Sequence, residues 1–160
     1  MTSSSFAAAH LTAAIAALAL GLAVFVARKG TDAHRLFGAA FVLAMIVLNV
    51  TALVIYRLTG QFNPFHGLAL MSLATTLWGI VLVLRRRESW VVSHLRMMFF
   101  SYLGLLAAAA AEGVLRLGLL RPLVGRPSGV IAVGVAIAIA FAVAGALLVP
   151  RLQRSAIADR

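Results

Sequence analysis

The chain is expected to fold as an all-α integral membrane protein with five transmembrane helices, the first four forming a four-helix bundle of two parallel hairpin repeats. Three observations predict this. Composition is the first: 63% of the 160 residues are hydrophobic and only 11% are charged, with a mean hydropathy of +1.06, which no ordinary soluble domain matches. Second, the apolar residues gather into five runs, at about 6–27, 34–56, 65–84, 91–117 and 130–149, each close to the ~20 residues that cross a hydrocarbon layer as a helix. Third, the histidines repeat. His10 precedes Arg28 by 18 residues and His66 precedes Arg85 by 19; His34 precedes Arg57 by 23 and His94 precedes Arg116 by 22.

Each element has its own signals. Residues 1–6 carry no Lys or Arg, so the first run lacks the charged region of a secretory signal and is expected to be a retained helix. Lys29-Gly30-Thr31-Asp32 separates the first two runs, with Thr31 or Asp32 suited to cap the second helix. Residues 59–64 separate the second and third, and Pro64 suits a first helical position. Residues 85–89, ending in Ser89, lead into the fourth run, and residues 122–128, with Arg126-Pro127, into the fifth. Loops this short make neighbouring helices antiparallel. The repeat units, 6–58 and 65–118, are offset by 56 residues at their first histidines and 60 at their second. Two helices separate the copies, so they run in the same sense. The fifth run is rich in Ala, Val and Gly and has no histidine; it reads as a packing helix within one membrane domain, as does the Ala107–Ala111 run in the fourth helix.

A net charge of +10 invites a nucleic-acid reading, but the placement of the charge argues against it. With the N-terminus outside, the inner side receives ten cations (Arg28, Lys29, Arg35, Arg85, Arg86, Arg87, Arg96, Arg151, Arg154, Arg160) and the outer side four (Arg57, Arg116, Arg121, Arg126). That imbalance predicts N-out, C-in insertion in a bacterial cytoplasmic membrane, with some attraction to anionic lipid. There is no cysteine, which excludes disulfides, iron–sulfur clusters and c-type haem attachment. Neither a phosphate-binding glycine loop nor a nucleophile elbow is present.

Ionisable side chains at membrane depth are rare, and each raises the question of function. Helices 1 and 3 share one direction and helices 2 and 4 the other. His10 and His66 are therefore expected near the outer face, and His34 and His94 near the inner face. The 18 residues from His10 to Arg28 span about 27 Å of helix, so all four cannot meet at one metal ion. In an up-down bundle helices 1 and 3 are diagonal neighbours, as are 2 and 4. Diagonal imidazoles suit the two axial positions of a flat haem. Two b-type haems are therefore the favoured reading, with Arg35 and Arg96 placed to pair haem propionates. The chain would then carry electrons across the membrane from a quinol or small reductant, as a membrane oxidoreductase or part of one.

Glu112 follows His94 by 18 residues, five turns, so the two share a face of helix 4. It is expected on the core side, near His10 and His66. There it could bond a ligating imidazole, move protons, or complete a zinc or copper site with His10 and His66. An ion pair with Arg116 is the alternative. A metal-binding or transporting protein, and a structural subunit of a homo-oligomer or larger complex, thus stay open beside the haem carrier. Asn49 and Tyr102 are expected to form interhelical hydrogen bonds, Met45, Met97 and Met98 to fill the core, and Tyr56, Trp78 and Trp90 to pack or to mark the interfacial belt.

Two resemblances follow from these residues. Arg28-Lys29-Gly30-Thr31 with His34-Arg35-Leu36-Phe37-Gly38 and Met45, then Phe65-His66, His94-Leu95-Arg96-Met97, Ser101–Leu105 and Ala110-Ala111-Glu112, resemble a small bacterial integral-membrane family of unknown function. That resemblance covers helices 1 to 4, leaves helix 5 outside its distinctive part, and implies no activity. In architecture the histidine placement is similar to the transmembrane cytochrome b family that includes ascorbate-dependent ferric reductases. Its alternate helices supply the ligands of two haems.

Overall fold

The computed structural model describes residues 3–59 and 64–116, with six isolated positions between 135 and 147. The fifth helix expected at 130–149 lies outside the described residues apart from those positions. Four helices follow one another: α1 (Ser3–Val26), α2 (Asp32–Thr59), α3 (Pro64–Arg85) and α4 (Trp90–Arg116). Among the described residues there is no strand. Every helix contains a stretch long and apolar enough to cross a membrane: Ser5–Val26, Asp32–Val54, His66–Arg85 and Trp90–Val114. The all-helical class and the first four spans agree with the sequence, and their starts differ by one or two residues.

The helix ends show why. Thr31 caps α2: its Oγ1 accepts the His34 N–H at 3.3 Å, and its carbonyl accepts the Arg35 N–H at 3.0 Å. Capping starts the helix at Asp32, ahead of the apolar run, and puts an acidic residue in its first turn, where it suits the helix dipole. Pro64 opens α3 as its fixed φ and missing N–H favour. Ser89 precedes α4 and its carbonyl accepts the Ser93 N–H at 3.2 Å, but its backbone is left-handed, at φ 60, rather than extended as a usual cap would be.

Beyond α1 the chain turns through Arg28–Thr31, where the Thr31 N–H reaches the Arg28 carbonyl at 3.4 Å. Gly30 takes the third position of that turn with φ +83, a conformation that an L side chain resists. Lys29 folds back over the helix it follows. Its ammonium donates to the carbonyls of Val24 (3.0 Å), Phe25 (2.7 Å) and Ala27 (3.1 Å), spending all three donors on carbonyls that the helix leaves open. Desolvation among them holds Lys29 below its ordinary 10.5, while a cation at a helix C-terminus complements the dipole. Gly30→Ala is expected to cost about 1–2 kcal/mol through the left-handed backbone alone. Thermal unfolding of the full chain in micelles checks this, and an unchanged midpoint would refute the strained turn.

The chain divides into two compact units, Met1–Leu73 and Ala74–Arg160. In the first, α1 packs against α2. The buried line of α1 is small: Ala13, Ala17 and Gly21, spaced four apart so that backbones approach closely. The facing line of α2 is larger, with Phe41, Met45 and Leu48 buried. Asn49, nearly fully buried, donates to the Met45 carbonyl at 2.8 Å and to Ser72 Oγ on α3 at 3.3 Å. It is thus the interhelical bonder expected of it, and Met45 is core filler as expected. In the second unit, Thr76 of α3 and Ser101 of α4, both fully buried, share a hydroxyl–hydroxyl hydrogen bond. Ala107 and Ala111 are buried, as the alanine run predicts.

Candidate functional site

His10 lies in the third turn of α1, opposite the second half of α2. Its Nδ1 is 3.2 Å from the Leu48 carbonyl and 3.1 Å from Thr51 Oγ1. The carbonyl can only accept, so the ring nitrogen donates, and Nδ1 carries the proton. A neutral imidazole protonated there keeps its lone pair on Nε2.

His94 reaches the same state by another route. Located in the second turn of α4, it donates from Nδ1 to the Gly79 carbonyl of α3 at 2.8 Å. Gly79 makes this possible because the two helices approach closely there: a Cβ at Gly79 would overlap the methyl end of Met98 and come within 3.4 Å of Met97 Cβ. The Trp90 ring lies 6.4 Å from the His94 ring, tilted by 53°, and covers it from the preceding turn. One histidine from each expected layer is therefore held through Nδ1 by a main-chain oxygen, which in a neutral ring leaves the lone pair on Nε2.

The other site residues take simpler positions. His34 is half-buried in the first turn of α2, just inside the Thr31 cap. His66 is the third residue of α3 and 4% exposed, which is deep for an imidazole so near a helix end. Arg35 is exposed and donates to Asp32 at 3.3 Å, a solvated i,i+3 pair of small energetic worth. Arg96 is exposed. His10, His34 and His66 belong to the first unit, and His94 and Glu112 to the second.

Glu112, expected on the core side, is exposed instead. The buried positions of α4 pass from the Ser101–Leu105 line to the Ala107–Ala111 line in its later turns. Glu112 stands about 100° around the helix from Ala111. Among the described residues, no three His, Asp or Glu side chains form a group able to hold a metal ion.

Sequence reading passed over Thr51 and Gly79. Thr51 is 41 residues from His10, a separation at which nothing local marks it. Gly79 had a faint signal, as a glycine in the middle of an apolar helix often marks a close backbone approach.

No curated protein and no solved structure matches the chain. One family profile does, described as "Predicted membrane protein (DUF2306)", across residues 7–149. The match runs through the fifth apolar segment, whereas the resemblance in sequence was expected to stop at the fourth. The positions quoted for that resemblance all lie inside it. With four apolar helices of membrane-spanning length and a profile match over most of its length, the chain belongs to this family of predicted membrane proteins.

Proposed function

We propose that the protein is a transmembrane b-type di-haem electron carrier with bis-histidine ligation at each membrane face. One observation carries the reading. His10 and His94 each donate Nδ1–H to a main-chain oxygen, which leaves Nε2 as a neutral donor atom. That is the arrangement of a histidine prepared to bind iron: the second-shell hydrogen bond fixes the tautomer, orients the ring and raises its basicity.

The donor set fits haem. Imidazole nitrogens are its usual axial ligands in b-type sites, and the surrounding helices are apolar. One turn after His34, a Cβ at Gly38 would meet nothing within 4 Å, so no described side chain crowds the backbone there. The pairing of His10 with His66 at the outer face and of His34 with His94 at the inner face rests on helix direction and depth along the sequence. In this reading Arg35 and Arg96 offer guanidinium groups for propionates. When bound, haem supplies a one-electron ferric–ferrous couple. The chain's own part is to hold the rings, set their tautomers through Leu48, Thr51 and Gly79, and exclude water. The reductant would be a quinol or another small donor.

The test is a dithionite-reduced minus oxidised spectrum of protein purified from haem-replete cells. A bis-histidine b-type signal is expected, with two haems per chain. A colourless preparation that takes up no added haemin would end this reading.

Orientation belongs to the same proposal. The α1–α2 and α3–α4 connections carry Arg28, Lys29, Arg85, Arg86 and Arg87, against Arg57 near the α2–α3 connection, which favours the first two connections inside. A reporter fused after Arg160 is expected to be active only on the cytoplasmic side. Activity on the outer side would reverse the assignment of the two faces.

A further inference from the structure

We propose that Thr51 is a positioning residue for His10, whose hydroxyl locks the imidazole in the Nδ1–H form. The reasoning follows the single proton a hydroxyl has to give. Thr51 Oγ1 lies 2.7 Å from the Val47 carbonyl and 2.9 Å from the Leu48 carbonyl, the oxygens four and three residues back along α2. Those carbonyls have no proton to offer, so Thr51 bonds them only by donating its own. This is the back-bonding that lets threonine sit inside a helix. While it makes that back-bond, Oγ1 presents only lone pairs toward His10.

Both neighbours of His10 Nδ1, the Leu48 carbonyl at 3.2 Å and Thr51 Oγ1 at 3.1 Å, are consequently acceptors. With the proton on Nε2 instead, the Nδ1 lone pair would face the Leu48 carbonyl with no proton between them, and Thr51 could donate to that nitrogen only by giving up its bonds to the Val47 and Leu48 carbonyls. Thr51 is 7% exposed, so water has little access to relieve that clash. Leu48 alone would leave a single long bond. The hydroxyl supplies the second acceptor and disfavours the alternative tautomer. His10 is thereby committed to ligation through Nε2, a consequence that rests on the haem proposal, whereas the tautomer itself does not.

Two measurements on the full-length protein separate these layers. In micelles, ¹⁵N-labelled histidine resonances, assigned to His10 by their loss in His10→Phe, are expected to show the Nδ1–H tautomer in the wild type. Thr51→Val keeps the shape and removes the acceptor, and the ratio of Nε2–H to Nδ1–H should rise about fivefold; Thr51→Ser should restore it. An Nε2–H wild type, or a valine variant with an unchanged ratio, would overturn the proposal. In haem-loaded protein, Thr51→Val should shift the midpoint potential of one haem and spare the other, with serine again restoring it. Equal displacement of both, or of neither, would refute a positioning role at His10. Wild-type protein that takes up no haem ends the carrier reading, and the tautomer ratio then decides the role of Thr51 by itself.

Discussion

Replacing His94 by alanine is expected to halve the haem content, from two per chain to one, and His10→Ala is expected to remove the other. Each substitution deletes an axial nitrogen, and haem held from one side in a hydrophobic slot is readily lost or becomes spectroscopically distinct. The double variant should be colourless, while His34→Ala and His66→Ala should repeat the effects of His94→Ala and His10→Ala respectively. Misfolding is a poor rival explanation. The hydrogen bond lost with His94 is one bond from Nδ1 to Gly79, worth about 1 kcal/mol inside a membrane, so helical circular dichroism should stay at the wild-type level. Glu112→Gln, at an exposed position, should keep both haems. Four alanine variants with the full b-type signal would remove these histidines from any ligand role.

Much of this fold is legible in the sequence because a bilayer leaves few choices. A chain with five apolar runs and short polar breaks has to bond its backbone internally as helices, and Pro64 and Thr31 mark helix starts by local rules that act within three residues. The place of each histidine along its helix is equally legible, near the start of the run that carries it. Their hydrogen bonds are not. Thr51 meets His10 only through the register in which α1 packs on α2, and that register is set by the fit of Ala13, Ala17 and Gly21 to larger side chains on α2. Glu112 shows the same boundary from the other side. Its 18-residue spacing from His94 gives its phase on an ideal helix, but the buried line of α4 shifts between Leu105 and Ala107, and phase alone cannot reveal that. In sequence Lys29 is a topological charge; its three bonds to carbonyls of Val24, Phe25 and Ala27 depend on the chain reversing at Gly30.

Gly79 is where packing and the candidate site meet, and graded substitution there should separate them. A methyl at this position would overlap Met98 Cε, the free end of a flexible side chain, and would meet the more rigid Met97 Cβ at 3.4 Å. Gly79→Ala is therefore expected to be absorbed by a new Met98 rotamer, at roughly 1 kcal/mol. Gly79→Val cannot be absorbed that way. Its two further methyls extend beyond a Cβ that already meets Met98 and Met97, so α4 is expected to move off α3. The loss should be about 3 kcal/mol, combining overpacking with the bond from His94 Nδ1 to the Gly79 carbonyl. Thermal unfolding in micelles measures the stability, and haem content reads the site. The valine variant should lose one haem and the alanine variant neither. Shortening Met98 to alanine alongside Gly79→Val should restore part of both, because it clears the atoms that the valine would strike. If valine proved as harmless as alanine, the close approach of α3 to α4 at Gly79 would be wrong, and with it the route by which the His94 tautomer is set.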